Sequence, residues 1–239
     1  MRNELITLAK QFRLNALLGN LSNPNFELRN EEFLLEILRS EAKFREEKAA
    51  AERLKQAQFP SFKNLDFDTD FQKGITKEQL ETLSKLDWLE ELFNLILIDP
   101  PGTGKTHIAL AIGNKAVLEG YKAAFVSMDK LVHALKTAEI SRKSQARISW
   151  IRKCDLLIID ELGYLPVRRV EANLFFSLIS ELYENASVII TSNKGFDGWA
   201  ELLGDKILAT ALLDRLTHRC QILNFTGESY RIAHRKNIL

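Results

Sequence analysis

The chain has 239 residues, 46% hydrophobic and 27% charged, with 33 Lys and Arg against 32 Asp and Glu for a net charge of +1. Such a length holds one sizeable core plus a smaller appendage, and the near-neutral balance leaves any nucleic-acid contact to a local basic patch. Cys154 and Cys220 stand apart with no C-x-x-C pair, which argues against a structural zinc and for a reducing compartment in which both act as packing residues.

The opening residues, M-R-N-E-L-I-T-L-A-K-Q-F, are interrupted by charge every few positions and make no apolar signal core. No stretch reaches the roughly eighteen apolar residues of a membrane-spanning helix. The expectation is a soluble, cytoplasmic protein with no membrane partner.

Residues 1–57 read as a helical domain. Leu5, Leu8, Ala9, Phe12 and Ala16 recur at helical spacing, as do Phe33, Leu34, Ile37 and Leu38, with turn residues from Gly19 to Asn25 between them. Beyond Ser40 the run E-A-K-F-R-E-E-K-A-A-A-E-R-L-K-Q predicts a long exposed helix. It is either a solvated helix with i,i+4 ion pairs or a contact surface for DNA or a partner. Gln58 to Gly74 is aromatic-rich and aperiodic, an ordered tether, and a short helix begins at Thr76 with Glu78 in its first turn.

From Leu95 the pattern changes to alternating strands and helices, the mark of a parallel sheet covered on both faces. The first unit, N-L-I-L-I-D-P-P-G-T-G-K-T-H-I-A-L, is an apolar strand, a Pro/Gly turn and a helix opening near Lys105. Gly104, Lys105 and Thr106 fit the phosphate-binding pattern G-x-x-x-x-G-K-S/T, in which backbone N–H groups and a helix N-terminus concentrate positive potential on a polyphosphate. In that pattern Lys105 neutralises the β- and γ-phosphates and the Thr106 hydroxyl ligates Mg²⁺.

The place of the first glycine is held by Asp99. Pro100 keeps residue 99 extended, a region open to any L-residue, so the steric effect is small. A carboxylate roughly 5 Å from a phosphate charge nevertheless costs about 3 kcal/mol at an effective dielectric of about 20, which weakens binding about a hundredfold. Asp99 is also placed to pair with Lys105.

Further strands follow at Lys122–Met128, Asp155–Asp160, Ser187–Thr191 and Cys220–Phe225, with Gly120 as a helix end, Asp129 as a helix cap and an amphipathic helix over Leu174–Tyr183. The strand D-L-L-I-I-D ends in Asp160-Glu161 at the carboxyl edge of the sheet, where ligands of α/β proteins bind. Asp160 is positioned to hold Mg²⁺, and Glu161 is the candidate base for an attacking water. Ser192-Asn193 ends the next strand, with Asn193 either orienting that water or forming a simple turn. In A-L-L-D-R-L-T-H-R, Arg215 and Arg219 share a helix face and are either a trans-acting arginine pair or an ordinary surface pair.

Arg142 to Lys153 carries Arg142, Lys143, Arg147, Arg152 and Lys153 without an acid, and Lys130 and Lys136 lie upstream. This local basic zone is either a surface for phosphate-backbone contact with nucleic acid, read here as double-stranded DNA, or a solvated helix.

Taken together, D-P-P-G-T-G-K-T-H, D-L-L-I-I-D-E-L-G-Y-L-P, I-I-T-S-N, G-D, A-L-L-D-R-L-T-H and G-E-S-Y-R closely resemble the IstB-like transposition-helper ATPases, AAA+ proteins of the clade shared with DnaC-type helicase loaders. The resemblance spans about residues 60–235. It implies a P-loop NTPase α/β domain (58–239) behind a small all-helical domain (1–57). It also implies an ATPase that binds ATP and Mg²⁺, oligomerises on DNA, and recruits or stimulates a partner transposase. Pro101, Gly102, Thr103, Gly104, Lys105, Thr106 and His107 would hold nucleotide, and Thr106 and Asp160 the metal. Glu161, Asn193 (sensor I), Arg215 (arginine finger) and Arg231 (sensor II-like) would act in catalysis. Lys130, Lys136, Arg142, Lys143 and Arg147 would face DNA. Beyond Asp99, L-E-E-L-F-N departs from the family where relatives tend to carry a polar, glycine-containing turn. A helicase loader and an ATPase-defective DNA-binding adaptor are the alternative readings.

Overall fold

The computed structural model describes residues 2–23, 31–69, 74–98, 100–163 and 167–233, Arg231 by its backbone only. Two compact units divide between Glu52 and Arg53.

In the first unit, α1 (Arg2–Gln11) and α2 (Asn15–Leu21) pair with the leading part of α3 (Glu31–Ala57). Leu5, Leu21, Leu35 and Leu38 form its small core. The expected single helix up to Gly19 is interrupted at residues 12–14, where Arg13 takes a left-handed φ of 56°. Arg39 grips Glu4 through two hydrogen bonds of 2.7 and 2.8 Å, and the Arg45 guanidinium stacks on Phe12. The mixed-charge run carries the anticipated i,i+4 pairs, Glu41 with Arg45 and Lys43 with Glu47. Such exposed pairs each add well under about 1 kcal/mol.

The division falls five positions ahead of the 57/58 boundary read from composition. The reason is that the last turns of α3 pack with the second unit: Arg53 Nε donates to the Val117 carbonyl at 3.2 Å, and Ala57 is fully buried there.

The second unit is a five-stranded, all-parallel sheet in the order β2-β3-β4-β1-β5. Its strands are β1 (Asn94–Ile98), β2 (Ala123–Ser127), β3 (Leu156–Leu162), β4 (Ser187–Ser192) and β5 (Cys220–Asn224). Side chains alternate between the faces with the strand period of two. Leu95, Leu97, Leu156, Ile158 and Ile189 pack under α4 (Lys77–Lys85), α5 (Asp87–Glu90) and α6 (Lys105–Leu118). Ile96, Leu157, Ile159, Val188 and Ile190 pack on the other face. Helices α7 (Met128–Thr137), α8 (Arg142–Ile151), α9 (Arg169–Leu182), α10 (Phe196–Leu203) and α11 (Lys206–Thr217) contribute to that second core, and a short α12 (Tyr230–Ala233) follows β5. Burial on both sides explains why these strands are continuous apolar runs.

Helix starts follow local chemistry. Thr76 and Gln79 close a reciprocal capping box on α4. Gly204 ends α10 in the left-handed region, and Asp205 then caps α11 by accepting from the N–H groups of Ile207 and Leu208. Asp129, expected as a cap, is instead inside the first turn of α7, where Ser127 is the N-cap residue. A hydrogen bond from the Ser127 hydroxyl holds the Asp129 carboxyl below its ordinary value. Cys154 is buried, Cys220 is half-buried, and burial pushes both thiols up to about 12.

The edge strand β2 is shielded by α8. Trp150 Nε1 donates to the Ala123 carbonyl at 3.0 Å, and Arg147 Nη2 donates to the Phe125 carbonyl at 2.5 Å. Arg147 also reaches the carbonyls of Gln56 (2.8 Å) and Ala57 (3.4 Å), and burial lowers its pKa. Arg147→Met keeps the aliphatic stem but leaves these carbonyls without their charged donor. The expected result is a loss of about 3 kcal/mol of unfolding free energy in urea titration; a loss below about 0.5 kcal/mol would show the clamp to be dispensable.

Candidate functional site

β1 delivers the chain to the phosphate loop, and α6 begins directly behind it. Gly102 and Gly104 adopt φ of 91° and 93°, left-handed values that suit glycine. Both are also crowded: a Cβ on Gly102 would lie 2.2 Å from Ser229 Oγ, and one on Gly104 would lie 2.5 Å from Phe67 Cε2. The loop is therefore braced by the aromatic tether on one side and by the segment after β5 on the other. Tyr230 N–H donates to the Gly102 carbonyl at 3.0 Å, and Phe67 and Phe225 meet edge to face.

Gly104 stands as the N-cap of α6 with no side-chain cap, so the first N–H groups of the helix are left for an anion. Lys105 is buried, its ammonium 2.8 Å from the Pro100 carbonyl and 3.4 Å from Thr103 Oγ1. His107 donates from Nε2–H to the Asn64 carbonyl at 3.2 Å, and burial pulls its pKa down. Pro101 is exposed on the turn. Asp99 lies outside the described residues.

The Thr106 hydroxyl donates to Asp160 Oδ1 at 2.8 Å, joining two segments 54 positions apart. A hydroxyl and a carboxylate side by side, next to a lysine and a free helix N-terminus, are the sparse hard-oxygen set suited to Mg²⁺ completed by phosphate and water. The residues present fit that ion.

Glu161 is exposed at the carboxyl edge of the sheet, with φ of 62°. Asn193 is also exposed and lies close by, since a Cβ on Gly163 would come within 3.2 Å of Asn193 Oδ1. Thr191, which sequence reasoning passed over, links the two acids: it donates to Asp160 Oδ1 at 2.5 Å and accepts from Glu161 N–H at 2.9 Å. A threonine inside a β-branched strand gave no signal beyond strand propensity.

Arg215 is not gathered into this group. Its Nη1 donates to the Ala211 carbonyl at 3.0 Å, and its guanidinium lies 4.7 Å from the Phe176 ring centroid. It lines a depression with Asn94 and Ala186, at the ends of β1 and β4 opposite the phosphate loop. Arg219, its i+4 neighbour, donates to the Glu91 carbonyl at 3.1 Å. The α12 segment brings the Arg231 backbone near the loop through the Tyr230 contact.

The basic zone is not uniform. Lys130, Arg142 and Lys143 are exposed. Lys136 pairs with Glu171 at 2.7 Å, an acid that lies 35 positions away and escaped local charge counting. Arg152 likewise pairs with Glu181. The Arg147 guanidinium is spent on backbone carbonyls, so its assignment to a DNA face is corrected to an edge-strand clamp.

Among solved structures, DnaI superposes with a TM-score of 0.58 at 19% identity, over 69% of this chain and 91% of that one. The DnaC helicase loader gives 0.54 at 20% identity, over 68% and 96%. These likenesses establish the fold, a parallel α/β sheet covered by helices on both faces with the phosphate loop at its carboxyl edge. An insertion sequence IS21 protein of Pseudomonas aeruginosa, named for ATP binding, is 44% identical over 211 residues, 88% of this chain and 80% of its own length. The family described as IstB-like ATP binding protein matches residues 7–238. With the phosphate loop, the paired acids and nearly the whole chain accounted for, this protein belongs to the IstB-like ATP-binding family of insertion sequences.

Proposed function

We propose that this protein hydrolyses ATP on DNA as a helper of transposition, assembling with further copies of itself and recruiting or stimulating the transposase of its insertion sequence. The single observation that carries the ATPase reading is the Thr106–Asp160 hydrogen bond of 2.8 Å, which unites phosphate-loop hydroxyl and strand-end carboxylate beside Lys105. Lys105 leaves the Pro100 carbonyl to neutralise phosphate charge, and the N–H groups of α6 hold the same phosphates. Thr106 and Asp160 would hold Mg²⁺, which when bound offsets charge on the phosphate oxygens. Glu161 accepts the proton of the attacking water, and Asn193 orients that water.

Arg215 is at the sheet edge opposite its own phosphate loop. It can serve a nucleotide only by reaching a neighbouring copy, which supports a homo-oligomer with Arg215 acting in trans. Lys130, Arg142 and Lys143 supply the exposed charge for phosphate-backbone contact with duplex DNA. The relatives named for insertion sequences favour a transposase over a replicative helicase as partner.

The test is ATP turnover with and without duplex DNA. Turnover should rise several-fold with DNA, and Arg142→Glu combined with Lys143→Glu should weaken DNA binding at least tenfold and remove that rise. No turnover in either condition would overturn the ATPase reading, and DNA binding indifferent to ATP would favour an adaptor. Replication genes beside the coding sequence, in place of a transposase gene, would overturn the transposition reading.

A further inference from the structure

β3 and β4 run in register from Leu156↔Ser187 to Ile159↔Ile190, and then the pairing slips so that Leu162 faces Ser192. Two residues of β3, Asp160 and Glu161, thus occupy the space opposite Thr191 alone. This is a β-bulge, a device that re-aims side chains next to functional sites. In an unbroken strand, Asp160 and Glu161 would point to opposite faces of the sheet. The bulge instead leaves Asp160 buried against Thr106 and brings Glu161 out to solvent at the same edge, with Glu161 in the left-handed region at φ 62°.

Such a conformation is unfavourable for a non-glycine residue unless its surroundings hold it. Here the holding atom is one hydroxyl. Thr191 Oγ1 accepts the Glu161 N–H at 2.9 Å, taking the role of the ladder carbonyl that the slip has displaced. The same oxygen donates its proton to Asp160 Oδ1 at 2.5 Å, and Thr106 donates to that carboxylate oxygen from the other side at 2.8 Å. A hydroxyl can both give a proton and accept one, and this arrangement uses Thr191 in both ways. No carbonyl could do both, and valine, of nearly the same shape, could do neither.

We infer that Thr191 is the positioning residue that sets the angle of the metal-binding Asp160 and the orientation of the base Glu161 together. The inference rests on the ATPase reading above for its consequence in turnover, while its effect on metal binding can be read without hydrolysis. Thr191 acts through the two acids, by its hydrogen bonds to the Glu161 N–H and to Asp160 Oδ1.

The experiment compares the full chain with Thr191→Val and Thr191→Ser by three measurements: ATP turnover, nucleotide affinity in EDTA, and Mn²⁺ affinity by electron paramagnetic resonance with a non-hydrolysable ATP analogue. Thr191→Val should lower kcat at least tenfold and weaken Mn²⁺ at least fivefold, with EDTA nucleotide affinity within threefold of wild type. Thr191→Ser, which restores the hydroxyl, should recover both to within threefold. Equal losses in the two variants would assign Thr191 to packing and overturn the inference, as would Thr191→Val with unchanged kcat and Mn²⁺ affinity. A wild-type protein without turnover would sink the ATPase reading separately; the Mn²⁺ titration then decides on Thr191 alone.

Discussion

Glu161→Gln should bind nucleotide and DNA as the wild type does and turn ATP over about a hundred- to ten-thousandfold more slowly, the usual range for loss of a positioned base. The amide is almost the same shape as the carboxylate but cannot take a proton from water. Because Glu161 is exposed, the change removes no buried contact, and stability should stay within about 0.5 kcal/mol of wild type. The backbone N–H that Thr191 accepts is kept, so the bulge survives the substitution. Phosphate release measured beside a fluorescent-nucleotide titration separates the two effects. Turnover at the wild-type rate would remove Glu161 from the mechanism.

Asp99→Gly should raise nucleotide affinity about a hundredfold, the counterpart of the roughly 3 kcal/mol that a carboxylate at about 5 Å from a phosphate charge costs. Residue 99 is outside the described part of the chain, and the expected gain follows from its charge and its position in the sequence. It follows β1, which ends at Ile98, and precedes Pro100, whose carbonyl already holds the Lys105 ammonium at 2.8 Å. Since the effect is electrostatic, the gain should shrink as salt rises from about 0.05 to 0.5 M, where screening shortens the reach of the charge. Titration of the two proteins at both salt concentrations reads it directly. An unchanged affinity would mean that Asp99 is turned away from the phosphates, and the copy would then be an unimpaired nucleotide binder.

The phosphate loop was legible because its chemistry depends on backbone shape. Only particular residues, Gly102, Gly104, Lys105 and Thr106, allow that shape at that spacing. The Asp160-Glu161 pair was legible for a related reason: a wholly apolar strand ending in two acids places them at a sheet edge whatever the strand order. The basic zone was read less well. Counting charge along Arg142 to Lys153 misses Glu171 and Glu181, which reach the zone from α9, and cannot tell that Arg147 turns inward to carbonyls from α3 and β2. The boundary read at residue 57 lies five positions beyond the division at Glu52–Arg53, since α3 runs on without a break to Ala57, which is buried in the second unit.

The sequence by itself determined the α/β class, the parallel sheet, the phosphate-binding turn and the identity of the acids, because period, glycine placement and strand-end chemistry are local properties. Tertiary structure alone decided the strand order, the burial of Arg147, the removal of Arg215 to the far edge, and the slip that makes Thr191 a partner of both acids. Those depend on which segments meet across 30 or more positions, as Thr191 meets Asp160 and Glu161. A one-residue difference in pairing register changes the face on which every later side chain stands. Nothing in the local pattern of S-V-I-I-T encodes that difference; the packing of β3 against β4 does.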